Sequence, residues 1–162
     1  NDKPDIDVNV KEVAEVDKSA WTIVDVSSDE SVADPNNGHA KHAIDGNGET
    51  FWHSAWRNSQ PDYPHSITFN LNKDQVINGF TFLQRRNKSN GRIKTFTIEV
   101  STDGTTFESA GDYTLENNTS KQLIELSSAK TARYFRLKIN SGHDNGSGEN
   151  VFFTFLAEVG IY

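Results

Sequence analysis

The stretch INGFTFLQRRNKSNGRIKTFTIEVSTDGTTF, residues 77–107, decides the fold of this chain. In its second half, the apolar residues Phe96, Ile98 and Val100 alternate with polar ones. A period of two with one apolar face is typical of half-buried strands in antiparallel sheets. Turn-forming pairs bound this run on both sides, namely Asn90-Gly91 and Asp103-Gly104. The stretch therefore predicts strands joined by short turns.

The same alternation recurs on both sides of this stretch, in the runs Ile67/Phe69/Leu71, Phe80/Phe82 and Phe135/Leu137/Ile139. Clusters of Gly, Asn and Asp separate the runs. After residue 20, no window keeps an apolar period of 3.6 residues for three turns. Many short strands with turns between them predict an all-β sandwich or jelly roll.

Length and composition fit one folded domain. The chain has 162 residues and only 34% hydrophobic residues, but it includes 3 Trp, 4 Tyr and 10 Phe. Disordered segments are poor in aromatic residues, and a chain of this length suits a single core. We expect Trp21 and Trp52 to lie in that core.

The charge balance excludes several classes of partner. The net charge is -7, and Lys and Arg are scattered, so the chain lacks the basic stripe that binds nucleic acid. Anionic membrane surfaces are disfavoured for the same reason, and no run approaches the ~20 apolar residues that span a bilayer. Cys is absent, which excludes disulfides, thiolate zinc sites and cysteine nucleophiles.

Two parts of the chain differ from the strand pattern. Residues 1–20 are acidic, polar and free of aromatic residues, so we predict a linker or loosely attached leading segment, with the domain at 21–162. Residues 45–65 and 140–151 form long polar stretches. Long loops on a compact β scaffold are usually functional, so we expect the site there.

Oxygen-bearing side chains cluster in HAIDGNGET, residues 42–50. Asp45, Asn47 and Thr50 surround a turn that glycine permits, and calcium prefers 6–8 such oxygen ligands. One carboxylate does not neutralise a divalent ion, and a second acidic group cannot be identified from spacing. An ordinary Asp/Gly/Asn turn explains the same pattern, so both interpretations remain open at this point.

At these residues the chain resembles the coagulation-factor C-type (discoidin) domain superfamily and, within it, the carbohydrate-binding modules of family 32. The resemblance covers nearly everything from Trp21 to Tyr162, in the segments AIDGNGETFWHSAW (43–56), YPHSITFNL (63–71), residues 77–107, ARYFRLKI (132–139) and LAEVGIY (156–162). It implies an eight-stranded antiparallel jelly-roll β-sandwich of the galactose-binding-domain type.

The resemblance also implies a structural calcium ion. Its ligands map onto the carbonyl groups of His42, Asn47, Thr50 and Ala157, the Thr50 hydroxyl, and the carboxylates of Asp45 and Glu158. Glu158 would thus be the second carboxylate. Such a set would join the two ends of the domain rather than activate a substrate.

A sugar site is the second implication. The family motifs place His at His53, Arg at Arg85, Asn at Asn90, and aromatic rings at Trp56 and Phe153. Arg86 follows Arg85, and Phe152 precedes Phe153, so the member of each pair that faces the site remains open. The resemblance implies galactose or N-acetylgalactosamine as the ligand. Aromatic ring faces pack on a pyranose, and Arg supplies several donors for its hydroxyl groups. We expect His39, His65 and His143, which show no ligand spacing, to be solvated.

We therefore expect a non-catalytic carbohydrate-binding module, appended to a secreted glycoside hydrolase such as a hexosaminidase. A glycosidase needs two suitably spaced carboxylates, and the best-placed acids are those assigned to calcium. No GxSxG, HExxH or P-loop motif occurs.

The expected partners are a glycan and the parent's catalytic domain, with no nucleic acid and no membrane insertion. We expect a monomer that is secreted, periplasmic or on the cell surface. The alternative is a phospholipid- or protein-binding discoidin-type adhesion module.

Overall fold

The computed structural model describes residues 12–146 and 151–162, and the regular secondary structure of these residues is almost entirely β-strand. One 3-10 turn, Ala40–Ile44, lies between the first two strands. The strands are β1 (Thr22–Val26), β2 (Trp52–His53), β3 (His65–Leu83), β4 (Thr95–Ser101), β5 (Glu108–Thr114), β6 (Gln122–Ile139), β7 (Phe155–Leu156) and β8 (Glu158–Ile161).

The long strands β3 and β6 build both layers of the sandwich. The first half of β3 pairs with β1 and with the second half of β6, which in turn pairs with β4. The second half of β3 pairs with β8 and with the first half of β6. Register shifts between Asn70 and Gln75 separate the halves, and irregular pairing of this kind bends a strand. All of these pairings are antiparallel.

Aromatic side chains fill the space between the two layers. Phe80 and Phe82, from the second half of β3, lie with their ring centroids 5.1 Å from Phe135 and 5.2 Å from Phe96, respectively. All four rings are fully buried. The alternation of apolar residues thus points one face of each strand into a common core. The predicted eight-stranded antiparallel jelly-roll sandwich is confirmed.

The expected core positions of two tryptophans are also confirmed. Trp52 is fully buried, and its indole N–H donates to the Ser28 carbonyl at 3.0 Å. Trp21 is 6% exposed and packs edge-on against Phe135. These rings bury large apolar areas, which a chain with few aliphatic residues needs for a stable core.

Part of the leading segment lies against the sandwich. The Val16 N–H donates to the Ile161 carbonyl at 2.9 Å, beside strand β8. Glu15 pairs with Lys121 at 2.8 Å, and Lys18 pairs with Glu158. The predicted division of the chain at Trp21 stays a prediction, and residues 1–11 lie outside the described residues.

A short ribbon positions the loops at one end of the sandwich. Strands β2 and β7 pair with each other, so that His53 is opposite Phe155. Isolated bridges add Gly38 beside Trp52 and Arg92 beside Phe155. The loops around residues 30–38, 54–57, 84–94 and 151–154 therefore converge on this ribbon. In the described part of the chain, no helix has the length and apolarity to cross a bilayer.

Candidate functional site

A cavity of about 310 Å³ lies where these loops meet. Its lining includes all five residues that the family resemblance assigned to sugar binding: His53, Trp56, Arg85, Asn90 and Phe153. The other lining residues are Glu30, Asp34, Gly38, Phe51 and Lys88. Four separate segments of the chain thus contribute to one pocket, which has both aromatic and hydrogen-bonding walls.

His53 sits at the base of the pocket as a neutral acceptor. Its side chain is almost fully buried, and Nδ1 lies 2.7 Å from the Ser54 carbonyl oxygen. A carbonyl only accepts, so Nδ1 carries the proton and Nε2 is the acceptor of the ring. Burial, helped by the nearby charge of Arg85, lowers the pKa of His53 to about 4. The imidazole is therefore uncharged at neutral pH.

Arg85 provides the cationic wall of the pocket. Its guanidinium carbon lies 3.9 Å from the ring centroid of Phe51 and 4.9 Å from that of Phe155. Nε donates to the Asn87 side chain at 2.8 Å. Burial lowers the pKa of Arg85 to about 10, so the group remains charged at neutral pH. Stacking on two rings holds the planar donors in one orientation.

The structure resolves the two registers that the sequence left open. Arg86 points away from the pocket and pairs with Glu49 in an exposed ion pair. Phe152 packs near Tyr63, with ring centroids 6.5 Å apart, and it is absent from the pocket lining. Arg85 and Phe153 are therefore the pocket residues of each neighbouring pair.

Two rings flank His53 on its open side. The Phe153 ring stands edge-on to the imidazole, with centroids 5.0 Å apart, and the Trp56 ring lies at 6.4 Å. Trp56 is 37% exposed, although large aromatic side chains are usually buried. An indole held at a pocket rim offers an apolar face to a ligand.

Glu30 is a site residue that sequence reasoning missed. It is 4% exposed, and its carboxylate accepts the backbone N–H groups of Ala33 (3.1 Å), Trp56 (2.9 Å) and Arg57 (2.9 Å). Burial opposes ionisation, but these hydrogen bonds prevail and lower the pKa of Glu30. Glu30 thus fixes the loop that carries Trp56. The sequence contains no local signal for this, because the bonded groups lie up to 27 residues away.

Arg92 and Gly91 shape the loop that carries Asn90. Arg92 is largely buried and donates to the carbonyl groups of Arg85 (2.9 Å) and Arg86 (3.1 Å). Gly91 has φ +134°, and a Cβ there would lie 2.9 Å from the Phe155 ring. Only glycine allows this backbone and this approach. The turn pair seen in the sequence therefore has a packing role.

The expectation that His65 is solvated is wrong. His65 is fully buried at the start of β3, and its Nε2 donates to the Phe152 carbonyl at 2.6 Å. His143 is half-buried and bonds the Leu115 carbonyl through Nε2 at 2.7 Å. Both rings hold main-chain groups of loops. The absence of metal-ligand spacing did not show that these rings are solvated. A histidine ring can be held in place by a single hydrogen bond to a carbonyl group, which leaves no spacing pattern in the sequence.

A second group of polar residues, the acidic cluster, consists of Asp45, Asn47, Thr50 and Glu158. The Thr50 hydroxyl donates to Asp45 and contacts the Asn47 carbonyl at 3.1 Å. Glu158 lies beside Asp45 and accepts the N–H of Gly46 at 2.9 Å. Burial and the adjacent Asp45 raise the pKa of Glu158 to about 8. Two carboxyl groups are thus crowded together where other oxygens converge.

This cluster fits the oxygen donor set of a hard cation. In the described residues, no group of three or more His, Asp or Glu side chains suits a metal ion. A calcium ion here would therefore need main-chain carbonyl groups as well. The side chain of His42, whose carbonyl was the predicted donor, contacts Asp45 at 3.1 Å. The Lys18 amino group already pairs with Glu158.

Comparison with known proteins agrees with this architecture. The F5/8 type C domain family matches residues 22–151. A sialidase of Micromonospora viridifaciens is 31% identical over 132 residues, which is 79% of this chain but only 20% of the sialidase. The chain therefore spans about a fifth of that relative's length.

Two solved structures extend the match. The C-terminal domain of a chitobiase from Bacteroides fragilis is 35% identical with a TM-score of 0.81, and the alignment covers 92% of this chain and 97% of that one. A CBM32 module from Clostridium perfringens, solved in complex with GalNAc-β-1,3-galactose, is 27% identical with a TM-score of 0.76, covering 88% and 94%. The family resemblance seen in the sequence is confirmed: this chain belongs to the F5/8 type C domain family.

Proposed function

We propose that the chain is a non-catalytic carbohydrate-binding module for galactose- or N-acetylgalactosamine-type sugars. The observation that carries this proposal is the meeting of His53, Arg85, Asn90, Trp56 and Phe153 around one pocket. The Clostridium module in complex with GalNAc-β-1,3-galactose supports the choice of sugar class.

The chemistry of the pocket suits a hydroxyl-rich ring. A sugar hydroxyl both donates and accepts, so the neutral His53 Nε2 accepts from it while Arg85 donates to it. Asn90 offers an amide with both functions. Phe153 and Trp56 present apolar ring faces to the C–H groups of the pyranose, at little entropic cost. The pocket thus offers both hydrogen-bond partners and apolar faces to a sugar that leaves water.

Glu30, one of the two acids that line the pocket, does not suit the role of general acid in glycoside cleavage. A glycosidase uses one carboxylic acid with a raised pKa to protonate the leaving oxygen. The pKa of Glu30 is instead lowered, and its carboxylate is engaged by three backbone N–H groups. We therefore assign binding, and no hydrolysis, to this domain.

We infer a role within a larger glycoside hydrolase. Two of the matched relatives are a sialidase, of which the chain spans a fifth, and a domain of a chitobiase. Tethering a binding module to a hydrolase raises the local concentration of the enzyme at its glycan, even when the module binds weakly. We expect such a parent to act in a secreted, periplasmic or surface location, and we expect the module to be a monomer.

We also propose a structural calcium ion at the acidic cluster. The carboxylates of Asp45 and Glu158, the Thr50 hydroxyl and the carbonyl of Asn47 are its central donors, with the carbonyl groups of His42, Thr50 and Ala157 completing the set. Calcium would neutralise the crowded acids and join the turn at 45–50 to the β8 end of the chain. Its contribution would be to stability and not to sugar chemistry.

Titration with galactose and N-acetylgalactosamine tests the sugar site. We expect millimolar to micromolar binding by the wild type, loss of at least tenfold in affinity for Arg85→Ala, and no change for Arg86→Ala. The second variant is the matched control, because it removes the adjacent arginine outside the pocket. Equal affinity in both variants would refute the site. Binding of anionic liposomes in place of sugars would favour the phospholipid alternative.

A further inference from the structure

Side chains that lie outside the pocket hold the main chain at Phe153. The Tyr63 hydroxyl donates to the Phe153 carbonyl, and His65 Nε2 donates to the preceding carbonyl, of Phe152, at 2.6 Å. Neither Tyr63 nor His65 lines the pocket. Tyr63, two residues before β3, and His65, the first residue of β3, thus fix two consecutive carbonyl groups of the segment that carries the ring.

The two donors themselves are well supported. Their rings stand edge-on, with centroids 4.9 Å apart, and His65 is fully buried. The Tyr63 hydroxyl also accepts the Asn145 side-chain N–H at 3.1 Å. Gly142 packs so closely that a Cβ there would lie 2.5 Å from this hydroxyl. The donors therefore have little freedom to follow Phe153 if it moves.

The other side of Phe153 is also bound. Thr154 exchanges two hydrogen bonds with Ser54, one at 2.9 Å from the Ser54 N–H and one at 3.1 Å to the Ser54 hydroxyl. Ser54 directly follows His53, so the Phe153 backbone is tied to the base of the pocket. Binding geometry must be held within about 0.5 Å to be productive. A stacking ring on a loop needs such support.

We propose that Tyr63 and His65 are positioning residues that hold the Phe153 ring against His53 and thereby set the affinity for sugar. The inference rests on the proposed function of the pocket as a sugar site. Neither residue touches the sugar, and each acts through a carbonyl group of the 152–153 main chain.

Removal of the Tyr63 hydroxyl tests the proposal against a closely matched control. In Tyr63→Phe we expect galactose affinity to fall roughly three- to tenfold, because the hydrogen bond to the Phe153 carbonyl is lost, together with the one accepted from Asn145. In Tyr113→Phe, whose hydroxyl also donates to a backbone carbonyl (Ala110, 2.6 Å) but on strand β5, we expect no change. Equal affinity of Tyr63→Phe and wild type would overturn the proposal.

A double-mutant comparison separates positioning from general destabilisation. In a Phe153→Leu background, Tyr63→Phe should change affinity by less than about twofold, since the ring that it positions is gone. The same loss in both backgrounds would show that Tyr63 does not act through Phe153. For His65, Leu should weaken binding, whereas Gln, which retains an N–H near the Nε2 position, should restore it. Failure of Gln to exceed Leu would count against His65.

A measurement without sugar keeps this inference distinct from the proposed function. In the free protein, the NMR signals of the Phe153 and His53 rings should shift in Tyr63→Phe and remain unchanged in Tyr113→Phe. Unchanged Phe153 signals in Tyr63→Phe would overturn positioning, whatever the sugar result. If the wild type binds no galactose, the proposed function fails, and the role of Tyr63 and His65 in sugar affinity fails with it. The ring signals of the free protein still decide whether these two residues position Phe153.

Discussion

His53 shows how one side chain acquires its chemistry from its surroundings. The Ser54 carbonyl selects the tautomer, and burial keeps the ring neutral at any pH well above 4. An exposed histidine, with an ordinary pKa of about 6.5, would be charged in mildly acidic solution. His53 Nε2, which we assign as the acceptor for a sugar hydroxyl, therefore stays unprotonated in mildly acidic solution, whereas an exposed ring would be protonated.

Sugar affinity should accordingly be insensitive to mild acid. Between pH 7.5 and 5.5 we expect galactose affinity to change by less than about twofold, and below pH 4 to fall about tenfold per pH unit as Nε2 gains a proton. Binding titrations across this range, with the His53 ring signals followed by NMR, make the measurement. A tenfold loss already at pH 5.5 would contradict the assignment.

The same pKa makes a prediction for stability. Because the pKa of His53 is about 4 when folded and about 6.5 when unfolded, the unfolded chain binds more protons between these values. The His53 contribution is thus complete above pH ~6.5 and is lost as the pH falls toward 4, by up to about 3 kcal/mol. In His53→Gln this part of the acid dependence of denaturant unfolding should vanish, whereas His39→Gln should retain it.

At the scale of elements, the loops of the pocket are joined by buried polar side chains. Glu30 links the 30–33 turn to the segment of Trp56. Arg92 closes the loop after β3 by donating to the Arg85 carbonyl of the same loop. Such hydrogen bonds replace the pairing that a loop lacks. These hydrogen bonds cross-link the pocket loops, although the loops do not belong to the main sheet.

Glu30→Gln should damage this order. An amide retains one acceptor oxygen but loses the charge that three N–H groups share, so we expect a loss of about 1–3 kcal/mol in the free energy of unfolding. Sugar affinity should fall as well, because Trp56 loses its support. Denaturant unfolding and galactose titration measure the two effects.

Glu49→Gln is the matched control for that experiment. Glu49 pairs with Arg86 in solvent, and exposed ion pairs contribute little. We expect a change of less than about 0.5 kcal/mol in this variant. Equal effects of the two substitutions would show that burial at Glu30 has no special role.

At the scale of the whole molecule, the acidic cluster joins distant parts of the chain. Glu158 of β8 contacts Gly46 of the turn after the 3-10 segment and Lys18 of the leading segment. A ligand that binds only the folded state stabilises it in proportion to the logarithm of its concentration. A cation here would therefore act on the unfolding of the entire sandwich.

Removal of calcium should lower the melting temperature. At calcium about a hundredfold above its Kd, the gain is about 2.7 kcal/mol, which corresponds to several degrees for a domain of this size. Melting curves with calcium and with chelator provide the measurement. Asp45→Asn should abolish the difference, whereas Asp25→Asn, on β1, should preserve it. Identical curves for the wild type in both solutions would refute the calcium proposal.

The alternating runs were enough to predict the sheets. Phe96, Ile98 and Val100 point to one face whatever their partners are, because side chains in a strand alternate by geometry. The family resemblance, and not this local rule, implied the eight-stranded topology and the five pocket residues. The alternating runs depend on neighbours in sequence, which the sequence displays directly.

What the tertiary structure alone decided concerns contacts between distant segments. It placed Arg85 rather than Arg86 over Phe51, buried His65 against the Phe152 carbonyl, and brought Glu30 under Trp56. A buried hydrogen bond forms only when two groups meet with the right distance and angle. That meeting is set by how the two layers and their loops pack, so no local pattern in the sequence records it.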